Sequence, residues 1–230
     1  MSKLLASVNS LAEAQLVLAI GVDIIDLKQP EQGALGALEL PSVRDIVRAV
    51  SGKCPVSATV GDLPMQPELV FNAVQAMSKT GVDYIKIGFF PGGDWPATIA
   101  QLREVTAQGQ ALIAVLFADT QPDIAIMARL KTAGFVGVML DTQDKKQGSL
   151  TQIMSKTALT AFVAAAKQYN LLCGLAGSLR VDDIAELLPL NADYLGFRGA
   201  LCEQQQRTAS LNSAAIQAIK HALHQPLSAV

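Results

Sequence analysis

Four short segments recur along the chain where a helix-like stretch gives way to a strand-like one. They are Gly21-Val-Asp-Ile-Ile, Gly81-Val-Asp-Tyr-Ile, Gly134-Phe-Val-Gly-Val and Asn191-Ala-Asp-Tyr-Leu. Their spacing leaves room for two strand–helix units per period, which excludes a short-period solenoid. The runs that begin at these points, and those between them, are short, β-rich and almost continuously apolar. They read LLASV (4–8), DIIDLK (23–28), PVSATV (55–60), DYIKIGFF (83–90), ALIAVLF (111–117), VGVMLD (136–141), LLCGLAG (171–177) and DYLGFR (193–198). Strands apolar on both faces belong to a parallel sheet covered by helices. Between them lie SLAEAQLVLAIG, PSVRDIVRAVSG, PELVFNAVQAMSKTG, DWPATIAQLREVTAQG, QPDIAIMARLKTAG, TALTAFVAAAKQYN, RVDDIAELLPLN and SLNSAAIQAIKHAL. These carry apolar residues at three- and four-residue spacing, many with Asp, Ser or Pro at the start and Gly at the end.

Eight strands alternating with eight helices predict an α/β fold, a (β/α)8 barrel of the TIM type, as a single domain over residues 1–230. An open doubly wound sheet is the competing arrangement. It usually places a glycine-rich phosphate loop after its first strand, where this chain reads SVNSLAEA with no glycine.

Half of the residues are hydrophobic and 17% are charged, which suits a large buried core. A net charge of −2 gives no basic field for nucleic acid or an anionic membrane. No apolar run approaches the ~18 residues of a membrane span. Glu13 interrupts the apolar start MSKLLASVNSLAEAQ too early for a signal peptide, so a cytoplasmic location is expected. Cys54, Cys173 and Cys202 are scattered, without disulfide or zinc spacing. The two histidines, His221 and His224, sit three apart near the C-terminus on what reads as a solvated helix face. The body of the chain therefore has no histidine for a triad, a general base or a metal cluster, and no metal site is expected.

In a barrel of this kind the site forms at the C-terminal ends of the strands. Asp26 and Lys28 end the second strand and, being two residues apart, share a face. Lys86 lies inside the apolar fourth strand, where a buried lysine is costly without a purpose. The sixth strand ends at Asp141, followed by a loop holding Lys145 and Lys146; the eighth ends at Arg198. All come from even-numbered strands, which suggests one shared layer of inward side chains. Asp23, Asp83 and Asp193 precede their strands, at the face that serves stability, and take no part in chemistry on this reading.

The seventh and eighth strands carry a second signal. Gly177 and Ser178 in LLCGLAGSLR, and Gly196, Arg198 and Gly199 in YLGFRGALC, form the pair of loops that bind phosphate in many barrels. Arg198 would add a bidentate contact. Lysines beside carboxylates, with no histidine, point to Schiff-base chemistry. A desolvated lysine near another cation has a lowered pKa and offers neutral amine to a carbonyl. On this reading Asp26 orients Lys28 or moves protons, and Lys86 serves as acid or base.

With these residues in view, the chain resembles the (5-formylfuran-3-yl)methyl phosphate synthase family of methanofuran biosynthesis. The likeness runs through LLASV, GVDIIDLKQPEQGALGA, DYIKIGFF, MLDTQDKKQG, CGLAGSL and DYLGFRGALC. The resemblance implies a lyase that condenses two molecules of glyceraldehyde 3-phosphate into a phosphorylated furan aldehyde, with loss of one phosphate and two waters. It implies Lys28 as Schiff-base lysine, Lys86 as proton acceptor, and Asp26, Asp141 and Lys145 as supporting residues. No cofactor is required by that chemistry, and the partner is a small triose phosphate. One departure stands out: after Lys145 the family more often has Asp-Gly, whereas this chain has Lys146-Gln147-Gly148. Two other readings remain at this level, another class I aldolase acting on a phosphorylated sugar and a non-catalytic barrel that binds a phosphorylated metabolite. The apolar loop GALGALEL suits either an interface in a homo-oligomer or a lid over the site.

Overall fold

The computed structural model describes residues 2–224, so Met1 and residues 225–230 of the expected 1–230 domain lie outside the described residues. Eight parallel strands close into a barrel in sequence order, with the last pairing back to the first. They are β1 (Lys3–Val8), β2 (Ile24–Leu27), β3 (Val56–Thr59), β4 (Tyr84–Gly88), β5 (Ala111–Phe117), β6 (Gly137–Asp141), β7 (Leu172–Leu175) and β8 (Tyr194–Phe197). The first five helices are α1 (Leu11–Ile20), α2 (Leu40–Val50), α3 (Pro67–Ser78), α4 (Trp95–Ala107) and α5 (Ile126–Thr132). The rest follow as α6 (Leu150–Ile153), α7 (Lys156–Gln168), α8 (Ile184–Leu187) and α9 (Ser213–His224).

Local chemistry sets these boundaries. The Ser10 hydroxyl accepts from the Glu13 amide at the start of α1, and Gly21 ends the helix in the left-handed region at φ 78°. Asp94 caps α4 by accepting from the Ala97 amide at 2.9 Å. At the base of the barrel the repeated aspartates each receive an amide from the first or second residue of a neighbouring strand. Asp23 accepts from Leu4 (2.8 Å), Asp83 from Val56 (2.7 Å) and Asp193 from Cys173 (2.7 Å). The fourth repeat has Val136 in that position. This is a structural device, which satisfies strand-end donors that would otherwise lack partners.

Two stretches differ from their sequence-based expectation. RVDDIAELLPLN is not one helix: a 3-10 turn at Val181–Asp183, the four-residue α8 and a second 3-10 turn at Leu188–Leu190 replace it. Pro189 lacks the amide that a continuing helix needs, and Asn191 turns left-handed at φ 56°. The helix expected from QPDIAIMARLKTAG starts only at Ile126, while the short α6 inside the loop after β6 was not anticipated.

One hydrophobic cluster fills the space between barrel and helices, and a second occupies the barrel interior. The interior cluster includes Leu5, Ile113, Phe117, Met139 and Tyr194, together with Ala34 and Leu35 from GALGALEL. That loop is folded over the barrel mouth. Asp62 accepts the amides of Ala34 (2.8 Å) and Leu35 (2.6 Å), and the Gly36 carbonyl accepts from Gln29 N (2.8 Å) and Thr59 Oγ1 (2.9 Å). A Cβ on Gly36 would lie 2.3 Å from the Gln29 carbonyl oxygen, so only glycine allows this fold-back.

Candidate active site

Strand alternation delivers the charged residues to the mouth in two tiers rather than the single layer expected. Asp26 on β2 and Lys86 on β4 form the lower tier; Lys28, the first residue past β2, and Asp141, the last of β6, form the upper one. The two tiers are about one pleat repeat apart, roughly 6.6 Å along a strand.

In the lower tier Lys86 Nζ lies 2.8 Å from Asp26 Oδ1, and both residues are almost completely buried. Serines from the flanking strands complete the carboxylate: Ser7 of β1 donates to Oδ2 at 2.8 Å and Ser57 of β3 donates to Oδ1 at 2.6 Å. Burial by itself raises the Asp26 pKa. The charges of Lys86 and Lys28 and the hydrogen bonds from Lys86 and Ser57 outweigh it and hold the carboxyl below its ordinary value. The pairing is not the one suggested by the Asp26–Lys28 spacing. Asp26 binds Lys86, and the carboxylate nearest Lys28 is Asp141.

In the upper tier Asp141 Oδ1 accepts from Lys145 Nζ at 2.5 Å and from the Thr142 amide at 2.7 Å. Burial raises Asp141, but Lys145 and Lys28 together bring it down to about 2, so it stays ionised. Asp119 receives the amides of Gln143 (2.8 Å) and Asp144 (2.7 Å), which fixes the loop and turns Lys145 inward. Lys146 remains exposed. Lys28 Nζ is 3.8 Å from Asp141 Oδ2, beyond hydrogen-bond reach, and its amine has no hydrogen-bond partner among the described residues. Burial lowers its pKa, Asp141 and Asp26 raise it, Lys145 and Lys86 lower it further, and the outcome is about 8. A lysine amine held in a cavity, unbonded and easily deprotonated, is a nucleophile in waiting.

All ten residues expected at the site line one cavity of about 230 Å³ at the C-terminal end of the barrel: Lys28, Lys86, Asp26, Asp141, Lys145, Gly177, Ser178, Gly196, Arg198 and Gly199. Arg198, however, does not offer its guanidinium to a ligand. Nη1 and Nη2 straddle the Glu13 carboxylate at 2.5 and 3.2 Å, and the group also donates to the carbonyls of Ser7, Arg207 and Ala209. Its five N–H donors are all engaged, so the expected phosphate contact is replaced by a brace between β8, α1 and the following loop. Gly196 has a packing reason as well, since a Cβ there would meet Met139 Cε at 2.8 Å. Gly177 (φ 115°) and Ser178 (φ 49°) make a left-handed turn facing the cavity, beside Arg180 and Arg207. Arg207 has no carboxylate within ion-pair distance among the described residues and donates to the Gly33 carbonyl at 2.7 Å.

Sequence reasoning missed Ser7, Ser57, Glu13 and Arg207. The two serines sit in strand register with Asp26, a relation that only strand pairing reveals. Arg207 lies in the polar loop CEQQQRTAS, which carries no recognisable signal. The cavity wall presents Lys28, Lys86, Lys145, Arg180, Arg198 and Arg207 against Asp26, Asp141 and the Glu13 partner of Arg198, so cations are in excess. Such a pocket concentrates anionic ligands.

The chain is similar to known proteins over nearly its whole length. Residues 4–220 match the family model described as 4-HFC-P synthase. A Methylorubrum extorquens protein named as a candidate (5-formylfuran-3-yl)methyl phosphate synthase is 44% identical over 215 residues, covering 93% of this chain and 88% of the relative. The (5-formylfuran-3-yl)methyl phosphate synthase of Methanocaldococcus jannaschii is 33% identical over 216 residues, with 89% and 92% of the two chains covered. Among solved structures, 3-hexulose-6-phosphate synthase from Salmonella typhimurium superposes with a TM-score of 0.70 at 16% identity, covering 96% and 98% of the chains. Phosphoribosyl anthranilate isomerase from Thermus thermophilus gives 0.67 at 14% identity, with the same coverage. The structural likeness shows the barrel; the sequence likeness over nearly the whole chain shows more, and the protein belongs to the (5-formylfuran-3-yl)methyl phosphate synthase family of enzymes.

Proposed function

We propose that this chain is a cytoplasmic carbon–oxygen lyase of methanofuran biosynthesis that condenses two molecules of glyceraldehyde 3-phosphate into (5-formylfuran-3-yl)methyl phosphate. The observation that carries the mechanism is the amine of Lys28, which faces the cavity 3.8 Å from Asp141 with no hydrogen-bond partner among the described residues. It attacks the aldehyde of one triose phosphate and expels water to form a protonated imine. The iminium acidifies the adjacent C–H, and Lys86, held against Asp26 one tier below, takes that proton after giving up its own ammonium proton to solvent. Asp141, ionised between Lys28 and Lys145, stabilises the positive charge of the imine. The excess of cations at the mouth offsets the charge of two phosphates and assists departure of one of them. Overall, two triose phosphates yield one furan aldehyde phosphate, one phosphate and two waters, and no cofactor enters the balance.

Incubation with glyceraldehyde 3-phosphate alone should release one phosphate per furan aldehyde formed, read as ultraviolet absorbance with mass confirmation. A sugar product that keeps both phosphates would contradict the assignment. The pH profile follows from Lys28. The lowered folded-state pKa means that the reactive neutral amine is scarce below pH 8 and dominant above it. The initial rate at low substrate should therefore rise about tenfold per pH unit on the acid side and level off near the Lys28 pKa. A profile flat from about pH 6 to 9 would contradict a titrating nucleophile.

A further inference from the structure

A second cavity of about 230 Å³ enters the barrel from the opposite, N-terminal end. Barrels of this kind usually fill their interior with stacked layers of side chains, so an opening of this size beneath the site is unexpected. Its rim carries the exposed residues Lys3, Pro55, Leu172 and Asn191, which open it to solvent. Its inner end is closed by Lys86 and Ser57, flanked by Tyr84 and Tyr194. Lys86 also lines the upper cavity, so this one side chain borders both. The hydroxyls that hold Asp26 are divided in the same way. Ser7 lines the upper cavity and Ser57 the lower, and each donates to one oxygen of the same carboxylate. The space is many times the ~10–15 Å³ that one water requires, and it ends on charged and hydroxyl groups that bind water.

We infer that the lower cavity is a water-filled proton conduit that connects Lys86 to solvent through the base of the barrel. The inference rests on the proposed role of Lys86 as proton acceptor. With substrate bound in the upper cavity, the lower cavity is the route left between Lys86 and solvent. Water in the lower cavity first takes one proton from the resting Lys86 ammonium, and the neutral amine then accepts the substrate proton, so that a C–H bond breaks and an N–H bond forms. Water in the lower cavity then takes one ammonium proton, the lysine returns to the neutral amine, and the proton leaves to bulk solvent. Ser57 and Asp26 keep the amine aimed at the partition between the two cavities.

The test is deuterium uptake from D2O into unreacted glyceraldehyde 3-phosphate, measured by mass spectrometry and expressed per turnover. Wild-type enzyme should incorporate deuterium readily. Ile24→Phe, which fills the cavity from β2, and Leu172→Trp, which narrows the rim from β7, lie outside the catalytic set. Each should lower incorporation per turnover about tenfold, because an abstracted proton held on Lys86 returns before it exchanges, while borohydride adducts at Lys28 and KM stay unchanged. Two independent plugs keep the test informative if one variant folds poorly. Unchanged incorporation in a folded plug variant that still forms the adduct would overturn the conduit alone. No adduct and no exchange in wild type would overturn both the conduit and the mechanism on which it rests.

Discussion

Lys28→Met should abolish product formation, by on the order of a thousandfold or more, and at the same time make the protein more stable at neutral pH. The loss of activity follows because no other lysine in the cavity is unbonded: Lys86 is held by Asp26 and Lys145 by Asp141. Lys28→Arg should be equally inactive, since a guanidinium stays protonated and forms no imine. The gain in stability follows from linkage. Lys28 ionises near 10.5 when unfolded and at about 8 when folded, so folding below pH 8 opposes its charge. The unfavourable contribution is full below the folded pKa and fades as pH rises toward 10.5, which makes it on the order of 3 kcal/mol at neutral pH. Asp141 keeps Lys145 as a partner after the change, so no buried carboxylate is stranded. Denaturant unfolding at pH 7 and pH 10 checks both parts: the variant should exceed wild type at pH 7, and the difference should shrink at pH 10. A variant less stable than wild type at pH 7 would contradict the account of Lys28 as a strained, functional amine.

Asp26→Asn should have the largest destabilising effect at the site, about 3–5 kcal/mol, because it leaves the Lys86 ammonium buried without a countercharge. Ser7 and Ser57 also lose their shared acceptor, and the amide that replaces it cannot receive on both oxygens. Adding Lys86→Met in the Asp26→Asn background should recover a good part of the loss by removing the stranded charge. Chemical denaturation of the three variants reads this directly. If Asp26→Asn stays within ~0.5 kcal/mol of wild type, the pair is solvated and the geometry of the lower tier is wrong.

The chain announces its barrel because its period is double. Strands apolar on both faces, helices with apolar stripes, and glycine or asparagine at each junction all support the same topology, and the eight strands lie where those runs were read. The charged residues were legible for a related reason: Lys86 amid isoleucines and Asp26 beside Lys28 break an otherwise apolar pattern, and such breaks gather at sites. The partners were not legible. Asp26 pairs with Lys86 across β3 and Lys28 approaches Asp141 across the barrel mouth, relations set by strand order and tilt rather than by sequence spacing. Arg198 shows the limit most clearly. Its position after β8 suited phosphate, but Glu13, far away in sequence on α1, engages the guanidinium. The broken stretch around α8 failed for a local reason, since Pro189 disrupts a pattern whose apolar spacing still reads as helix.

Borohydride reduction in the presence of glyceraldehyde 3-phosphate, followed by peptide mapping, tests the central claim most directly. The account predicts a single stable adduct on the peptide containing Lys28, dependent on substrate and accompanied by furan aldehyde in unreduced samples. A folded, active enzyme that yields no adduct, or one that carries the adduct on Lys86 or Lys145, would contradict it.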